Sequence, residues 1–251
     1  MSLADSAGTP WEGRHFEPNH SADDDGSAPE KLIEALRRFR STELGESEVV
    51  DAVRDSRFLI PLIAHLGESE VNEHGHLIDK TQELSIVTVI APDGRKVLPV
   101  FTSVASMGEW DASARPVPAD AVRVALAAAS EQTDLVIVDP TSVTEFVIRR
   151  PALWSIAQSL PWTPCYLDET VLDAFADAAA GEHALRSVAL APGDPDARLA
   201  GPELVVQLTI ADGLTRPELD ALLARQQERW AASEVIANRV DSMRVQLLSA
   251  G

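Results

Sequence analysis

Apolar positions along the chain form strand-like runs and helical stripes in alternation, and their order predicts a mixed α/β core. The most informative stretch is 83–150, where the apolar runs ELSIVTVIA and KVLPVFTS flank a Pro-Asp-Gly turn at 92–94. Such a turn favours a hairpin, because proline presets one turn angle and glycine tolerates the left-handed one. The later run DLVIVDP has almost no alternation, which favours a strand covered on both faces.

Helical periodicity surrounds these runs. We predict helices that begin at Pro29 and near Ser47, because apolar residues recur there at helical spacing. A further helix is predicted over the alanine-rich segment 118–130, after a proline-containing spacer at 114–118. The run at 57–66 has the composition of a buried strand, but it contains a proline. Because proline donates no ladder hydrogen bond, we expect this strand at a sheet edge or with a bulge.

Two prolines within 160–164 stop regular structure and predict a linker. Beyond it the pattern predicts a helix, two antiparallel strands, an amphipathic helix and a half-solvated final strand. We therefore expect an α/β protein with a mixed-sheet N-terminal domain flanked by helices, and a smaller α+β C-terminal domain. The predicted division is a flexible acidic leader at 1–28, the N-terminal domain at 29–160, a linker at 161–167 and the C-terminal domain at 168–251.

Charge narrows the classes of partner. The chain has 21 basic and 40 acidic residues, which give a net charge of −19. A surface of this sign repels phosphate backbones and anionic lipid headgroups, so we expect neither a nucleic acid nor a membrane as partner. Residues 1–20 lack a basic-then-apolar secretory pattern, and the single cysteine allows no intramolecular disulfide. These features predict a cytoplasmic location.

Four side chains form the best candidate for a metal site: His65, His74, His76 and Asp79. Imidazole is a common ligand of transition metals, and these residues lie near or within one polar segment. No HExxH or paired CxxC motif accompanies them, so no closed ligand set can be assembled from the spacing. We expect a solvated loop with incidental histidines, and we predict no metal and no cofactor.

Cys165 is the one candidate thiol nucleophile. A reactive thiolate needs a helix N-terminus, a nearby cation or a histidine. The residues that follow it, Tyr-Leu-Asp-Glu, are apolar or acidic and favour the neutral thiol. We therefore expect a buried, inert cysteine that packs as a small hydrophobic residue.

The remaining candidates follow strands. Asp139 ends the run DLVIVDP, at the position where α/β sheets often bind ligands, but we favour a simple turn in which the aspartate bonds its own backbone. Phe101, Thr102 and Ser103 end another strand, where the hydroxyls are expected to satisfy backbone donors and cap a helix. Trp110 is flanked by polar residues, and an exposed tryptophan marks a partner site more often than an active site. These five residues are the candidate ligand- or partner-binding set, and we predict no catalytic residue.

The stretch KVLPVFTSVASMGEW, the alanine-rich helix after it and DLVIVDP resemble the SseB-type proteins, bacterial proteins named for enhanced serine sensitivity. The similarity begins near Pro29 and runs to about Ile156, with the turns PVFTS and VDP as its most recognisable parts. The segment from about Asp168 is similar to the C-terminal domain found in many members. The family has no established reaction and no agreed catalytic residues, so the resemblance implies an architecture without an active site.

Three functional hypotheses remain open. The first is a non-enzymatic binding or interaction protein whose partner is a protein or a small molecule, with a link to serine or amino-acid homeostasis that the resemblance implies. The second is a metal-assisted or thiol-dependent enzyme that uses the histidine segment or Cys165. The third is a self-assembling scaffold, a homo-oligomer in which exposed edge strands such as 57–66 pair between chains.

Overall fold

The structure, a computed structural model, describes residues 24–65 and 83–250. Within these ranges the chain forms eight helices and ten strands. The helices are α1 (Glu30–Arg40), α2 (Glu46–Arg54), α3 (Val104–Trp110), α4 (Ala121–Ser130), α5 (Arg150–Ala157), α6 (Glu169–Ala179), α7 (Arg216–Ala231) and α8 (Glu234–Arg239). The strands are β1 (Arg57–His65), β2 (Glu83–Ile86), β3 (Val89–Ile90), β4 (Lys96–Val100), β5 (Arg115–Asp120), β6 (Val136–Val138), β7 (Phe146–Ile148), β8 (Leu185–Pro192), β9 (Leu204–Ile210) and β10 (Met243–Ser249).

Two sheets form the N-terminal domain. One has the strand order β2-β1-β5 and is antiparallel, and the other has the order β3-β4-β6-β7 with β4 parallel to β6. A single bridge between Leu59 and Phe101 links the two sheets. In the smaller C-terminal region the order is β10-β9-β8, with β8 antiparallel and β10 parallel to β9. The expected α/β architecture, with an N-terminal domain and a smaller C-terminal region, is confirmed.

The buried strand and the turn predicted for the central stretch are confirmed, and the hairpin around the turn is confirmed in part. The run DLVIVDP forms β6, all of whose residues are buried, and β7 pairs with it antiparallel. A hairpin turn lies at 92–94, and Gly94 has a φ of +84° that favours glycine. The hairpin is shorter than expected, because only β3 pairs with β4 across this turn. The earlier half of the predicted strand is β2, which pairs with β1 instead.

The expected edge position of the strand at 57–66 is wrong. This strand is β1, and it lies between β2 and β5. The proline-containing spacer is itself the edge strand, β5, and Pro61 lies opposite Pro116. An edge strand tolerates proline because its outward N–H needs no partner in the sheet. The helix predicted to begin at 118 therefore begins at Ala121, where the Asp120 side chain accepts a hydrogen bond from Arg123 N at 2.8 Å.

The two parts of the chain have separate cores. In the N-terminal core Phe39 packs edge-on against Phe146 with ring centroids 5.3 Å apart, and in the C-terminal core Phe175 packs against Trp230 at 5.4 Å. The loop between β8 and β9 crosses between them. Ala197 of this loop is buried in the N-terminal core, and its carbonyl accepts a hydrogen bond from Val147 N at 2.8 Å.

The segment between α5 and α6 contains the predicted linker and forms neither helix nor strand. Among the helices of the described ranges, none combines the length and the apolar composition that crossing a bilayer requires.

Candidate functional site

The parallel pairing of β4 and β6 brings the predicted site residues Thr102 and Asp139 together. Thr102 N donates to Asp139 Oδ1 at 2.8 Å, and Thr102 Oγ1 donates to Asp139 Oδ2 at 2.7 Å. Thr144 Oγ1, from the loop before β7, donates to the same Oδ2 at 2.8 Å. We call Thr102, Asp139 and Thr144 the strand-end cluster. The Asp139 carboxylate is buried and accepts hydrogen bonds from three neutral donors, so it connects the ends of β4 and β6 to the loop before β7.

Backbone conformation supports a structural role for the strand-end cluster. Asp139 has a φ of +45° and Thr141 a φ of +66°, in the left-handed region that residues other than glycine seldom adopt. The hydrogen bonds to the Asp139 carboxylate hold the turn in this conformation. A turn fixed by its own aspartate was one of the two interpretations of this residue, although the bonds reach to Thr102 rather than to the nearest backbone.

The other predicted site residues pack beside this cluster. Ser103 caps α3, because its hydroxyl oxygen accepts a hydrogen bond from Ser106 N at 3.0 Å. Phe101 is fully buried, and its ring lies 5.2 Å from that of Trp110. Trp110 is therefore half-buried against the core rather than fully presented on a polar rim.

The predicted metal candidates fall mostly outside the described residues. His74, His76 and Asp79 lie there, and only the backbone of His65 is described. Across 24–65 and 83–250 no group of His, Cys, Asp and Glu has a metal-binding arrangement.

A buried ion-pair network that the sequence did not indicate lies between the two parts of the chain. Arg149, which follows β7, has a side chain only 5% exposed. Its guanidinium donates to Asp194 Oδ2 at 2.7 Å and to Asp241 Oδ2 at 3.0 Å. Arg95 adds two further bonds to Asp241, at 3.0 and 2.8 Å. We call Arg95, Arg149, Asp194 and Asp241 the junction cluster, because arginines of the N-terminal domain bind carboxylates of the C-terminal region.

Asp194 receives its remaining hydrogen bonds from its own loop. Its carboxylate accepts from the backbone N–H groups of Leu199 at 2.8 Å and Ala200 at 3.2 Å. The loop closes this tightly only because Gly193 has no side chain, since a Cβ there would lie 2.2 Å from the Pro202 carbonyl oxygen. The loop between β8 and β9 is thus wrapped around the carboxylate that binds Arg149.

Acidic groups and the cysteine lie beside the junction cluster. Glu203 is buried, and its Oε2 accepts a hydrogen bond from Asp241 N at 2.6 Å. Burial raises the pKa of Glu203 to about 7, and the neighbouring charges of Asp241 and Glu46 act in the same direction. Arg149 opposes this rise in pKa. The Glu203 carboxyl therefore takes up a proton near neutral pH, which lowers the negative charge in this part of the core.

Cys165 is buried, as the sequence predicted, and it lies next to Glu203. Burial raises the pKa of its thiol well above the ordinary range, and the Glu203 and Glu46 carboxylates raise it further. Tyr166 donates its hydroxyl proton to Glu46 Oε1 at 3.0 Å, and burial raises the pKa of both groups. The thiol stays protonated, which is the opposite of what a nucleophilic cysteine needs.

A groove of about 540 Å³ opens beside the junction cluster, lined in part by Arg95, Asp241 and Gly201. The Arg95 guanidinium already binds Asp241 and, at 2.7 Å, the carboxylate of Asp93. An anionic ligand in this groove would have to displace a carboxylate of the protein itself. The groove therefore offers no free charged group to a ligand.

A group of exposed apolar side chains lies instead on α4, α5 and the segment before α6. Trp154 of α5 is 45% exposed, and Arg150 lies over its ring at 5.2 Å. Two grooves border this tryptophan, one of about 560 Å³ towards α6 and one of about 470 Å³ towards α4. Exposed apolar side chains line the grooves on either side. We call the set the Trp154 surface, and its members are Leu126, Trp154, Leu160 and Leu167.

Sequence reasoning missed both features for identifiable reasons. Arg149 pairs with carboxylates 45 and 92 residues away, so local spacing carries no signal of the pairs. Trp154 lies in a short helix with an ordinary apolar stripe, and only the packing of its neighbours decides that its ring stays exposed.

The fold and these sites define a class: an α/β protein of two regions that are joined by buried ion pairs, with an exposed apolar surface beside the connection. The family model of the SseB protein N-terminal domain matches residues 30–155, and the chain belongs to this family. The resemblance seen in the sequence is thereby confirmed for the N-terminal domain. Neither a curated protein nor a solved structure matches the chain.

Proposed function

We propose that this SseB family member is a non-enzymatic, cytoplasmic interaction protein that binds another protein through the Trp154 surface. The observation that carries the proposal is Trp154 itself, a large side chain that is 45% exposed between two grooves. Tryptophan is enriched among the residues that dominate binding energy at protein interfaces, and such residues lie beside pockets that partner side chains fill.

The exposed leucines extend this anchor into a surface. Leu126 lines the groove towards α4, while Leu160 and Leu167 line the groove towards α6. Each is at least half exposed, so the folded chain leaves their apolar area in contact with water. Burying such area is worth roughly 25 cal/mol per Å², which favours a partner that covers both grooves at once.

Charge supports a partner with a basic rim. Asp134 lines one groove, Glu169 lines the other, and Asp173 lies on the next turn of α6; all three are exposed. The whole chain has a net charge of −19. A cationic partner would be drawn to this surface, and its association rate would fall as salt screens the charges.

The polar side chains support binding rather than catalysis. The Asp139 carboxylate is bound by three donors, Arg149 is bound by two carboxylates, and the Cys165 thiol lies among acidic groups that keep it protonated. A catalytic group needs a lone pair or a proton that is available to its substrate. In these groups it is already engaged in contacts within the protein. The link to serine or amino-acid homeostasis that the family name suggests belongs to this proposal as well.

Quantitative affinity enrichment tests the proposal. The full chain, the Trp154→Ala variant and the Val143→Ala variant are used to enrich proteins from the source organism. Val143 is the matched control, because it is 83% exposed and lies outside the Trp154 surface. We expect one partner that the full chain and the Val143 variant retain equally and that the Trp154 variant loses. Equal retention by all three would overturn the Trp154 surface as the binding site.

A metabolite screen tests the non-enzymatic half of the proposal. The purified chain is incubated with pools of amino acids and related metabolites, and both binding and turnover are followed. We expect no turnover. A turnover signal that disappears when one polar residue, such as Asp139, is replaced would show that the protein is an enzyme.

A further inference from the structure

β10 is an edge strand with an open side. It pairs with β9 over its whole length, from Met243 opposite Leu204 to Ser249 opposite Ile210. Its other side meets no strand within 24–65 and 83–250. An edge strand presents a row of N–H and C=O groups that favour pairing with another strand.

The ends of the β9–β10 ladder show which backbone groups of β10 are open. Leu204 N donates to Ser242 O at 3.0 Å, and Ala250 N donates to Ile210 O at 3.0 Å. In a parallel pair alternate residues of a strand bond to the same neighbour, so the even-numbered residues of β10 face β9. The N–H and C=O groups of the odd-numbered residues therefore point outwards. These residues are Met243, Val245, Leu247 and Ser249.

The two edges of this sheet differ in protection. β8, at the opposite edge, has a register shift between Leu185 and Ser187 and ends at Pro192. Bulges and prolines are the usual devices that keep an edge from pairing. β10 has neither device, and Arg244 is its only charged residue. β8 likewise has a single charged residue, Arg186, so the two edges differ in geometry rather than in charge.

The geometry points to a second copy of the chain as the occupant of this edge: we infer that two β10 strands pair antiparallel about a two-fold axis at Gln246. In this register Val245 of one copy lies opposite Leu247 of the other, and Met243 lies opposite Ser249. Every outward N–H and C=O group of β10 is then paired. Arg244 lies opposite Leu248, so the two arginines do not face each other.

Side chains favour the same arrangement. Met243 and Leu247 lie on the face of the sheet that carries the buried Leu204 and Leu208, yet each is 39% exposed. Across the two-fold axis Leu247 packs on Val245 of the other copy, which extends the C-terminal core through the interface. On the opposite face the Gln246 oxygen accepts a hydrogen bond from Gln207 Nε2 at 3.1 Å. The Gln246 amide N–H groups remain to bind Gln246 of the second copy.

Sedimentation velocity of the full chain tests this inference, with Gln246→Lys as the main variant. Two lysines then face each other on the axis, and like charges directly opposite destabilise strand pairing. Ala189→Lys is the matched control, because Ala189 of β8 and Gln246 of β10 both lie opposite Gln207. We expect the wild type and the control to dimerise to twice the 27.0 kDa chain mass, and the dissociation constant of Gln246→Lys to rise about tenfold or more.

A charge-swap mixture tests the register. Gln246→Lys and Gln246→Glu are each expected to dimerise poorly alone, whereas an equimolar mixture restores dimers, because opposite charges then meet on the axis. A wild-type chain that stays monomeric at about 100 μM would overturn the inference, because we expect the dissociation constant of the dimer to lie below this concentration. Failure of the mixture to restore dimers, or equal disruption by Ala189→Lys, would overturn it as well.

Discussion

The junction cluster and the Trp154 surface both lie near the boundary between the two regions, and they use opposite chemistry. In the junction cluster Arg149, Asp194 and Asp241 are buried, and each charged group has a partner of opposite sign. On the Trp154 surface large apolar groups are exposed and have open grooves beside them. Charged groups therefore connect the two regions, and under the proposed function the exposed apolar groups contact the partner.

The difference follows from what each kind of group requires. A buried charge is costly unless it is paired, so a charge found inside the protein has been committed to structure. An exposed apolar side chain gains free energy only when something covers it. The candidate polar residues of this chain consequently stabilise the fold, and we propose that the exposed tryptophan binds the partner.

Replacing Arg149 is expected to have the largest effect on stability. Arg149→Met leaves the buried carboxylate of Asp194 without its cation and removes one of the two cations of Asp241. Breaking a buried pair in this way costs about 3–5 kcal/mol of the free energy of unfolding. Urea unfolding followed by circular dichroism measures the change. The control is Arg216→Ala, which breaks an exposed pair with Asp220 and is expected to cost at most about 0.5 kcal/mol. Equal losses for both would contradict the structural role of the junction cluster.

Asp139→Asn tests whether the strand-end cluster is also structural. Asparagine tolerates the left-handed backbone at this position, so the substitution removes the carboxylate without straining the turn. The amide NH₂ group replaces a carboxylate oxygen that accepts hydrogen bonds, so a donor then faces other donors. We expect a loss of about 1–3 kcal/mol in the free energy of unfolding. Thermal unfolding followed by calorimetry measures it, and a variant as stable as the wild type would show that the three hydrogen bonds contribute nothing.

Glu203→Gln changes the pH dependence of stability. The pKa of Glu203 is raised from an ordinary 4.5 to about 7, so between these pH values the folded state keeps a proton that the unfolded state releases. Stability therefore falls as pH rises from about 4.5 to 7 and levels above that range. Relative to Glu203→Gln, which has no proton to lose, the wild type is expected to lose about 1–3 kcal/mol over this interval. Urea midpoints at several pH values test the sign, and a parallel pH profile in both proteins would contradict the assignment.

Trp154→Ala is expected to change stability least. Its ring is 45% exposed and contacts Arg150 at the surface, so removal leaves no large cavity. We expect a loss of about 0.5–1 kcal/mol in the free energy of unfolding, together with loss of the partner in affinity enrichment. A loss as large as that of Arg149→Met would place Trp154 among the structural residues and remove the contrast between the two regions.

Local sequence signals were sufficient for much of the fold. The unalternated run DLVIVDP predicted the buried strand β6, and Ser103 predicted the cap of α3, because both depend on neighbouring residues. The closeness of Thr102 and Asp139 follows from the parallel pairing of β4 and β6. The position of β1 could not be predicted, since it depends on the pairing of β5, whose prolines resemble a spacer until the strand is seen at the sheet edge.

The ion pairs of Arg149 and the exposure of Trp154 could not be predicted from the sequence, because both depend on contacts between distant residues. Arg149 meets Asp194 because the loop between β8 and β9 packs into the N-terminal core, and it meets Asp241 because the segment between α8 and β10 lies beside it. The exposure of Trp154 is equally a property of packing, so the sequence pointed to Trp110 instead. We propose that 161–167 still separates two domains, although these ion pairs fasten the regions to each other.

Photo-crosslinking from three positions shows which exposed side chain contacts the partner. A photoreactive phenylalanine analogue replaces Trp154, Trp110 or Val143 in the full chain, which is then irradiated in cells of the source organism. The account predicts a discrete crosslinked partner from position 154 and none from position 143, with position 110 shielded by its contact with Phe101. A partner that is captured from position 110 or 143 and not from position 154 would contradict the account.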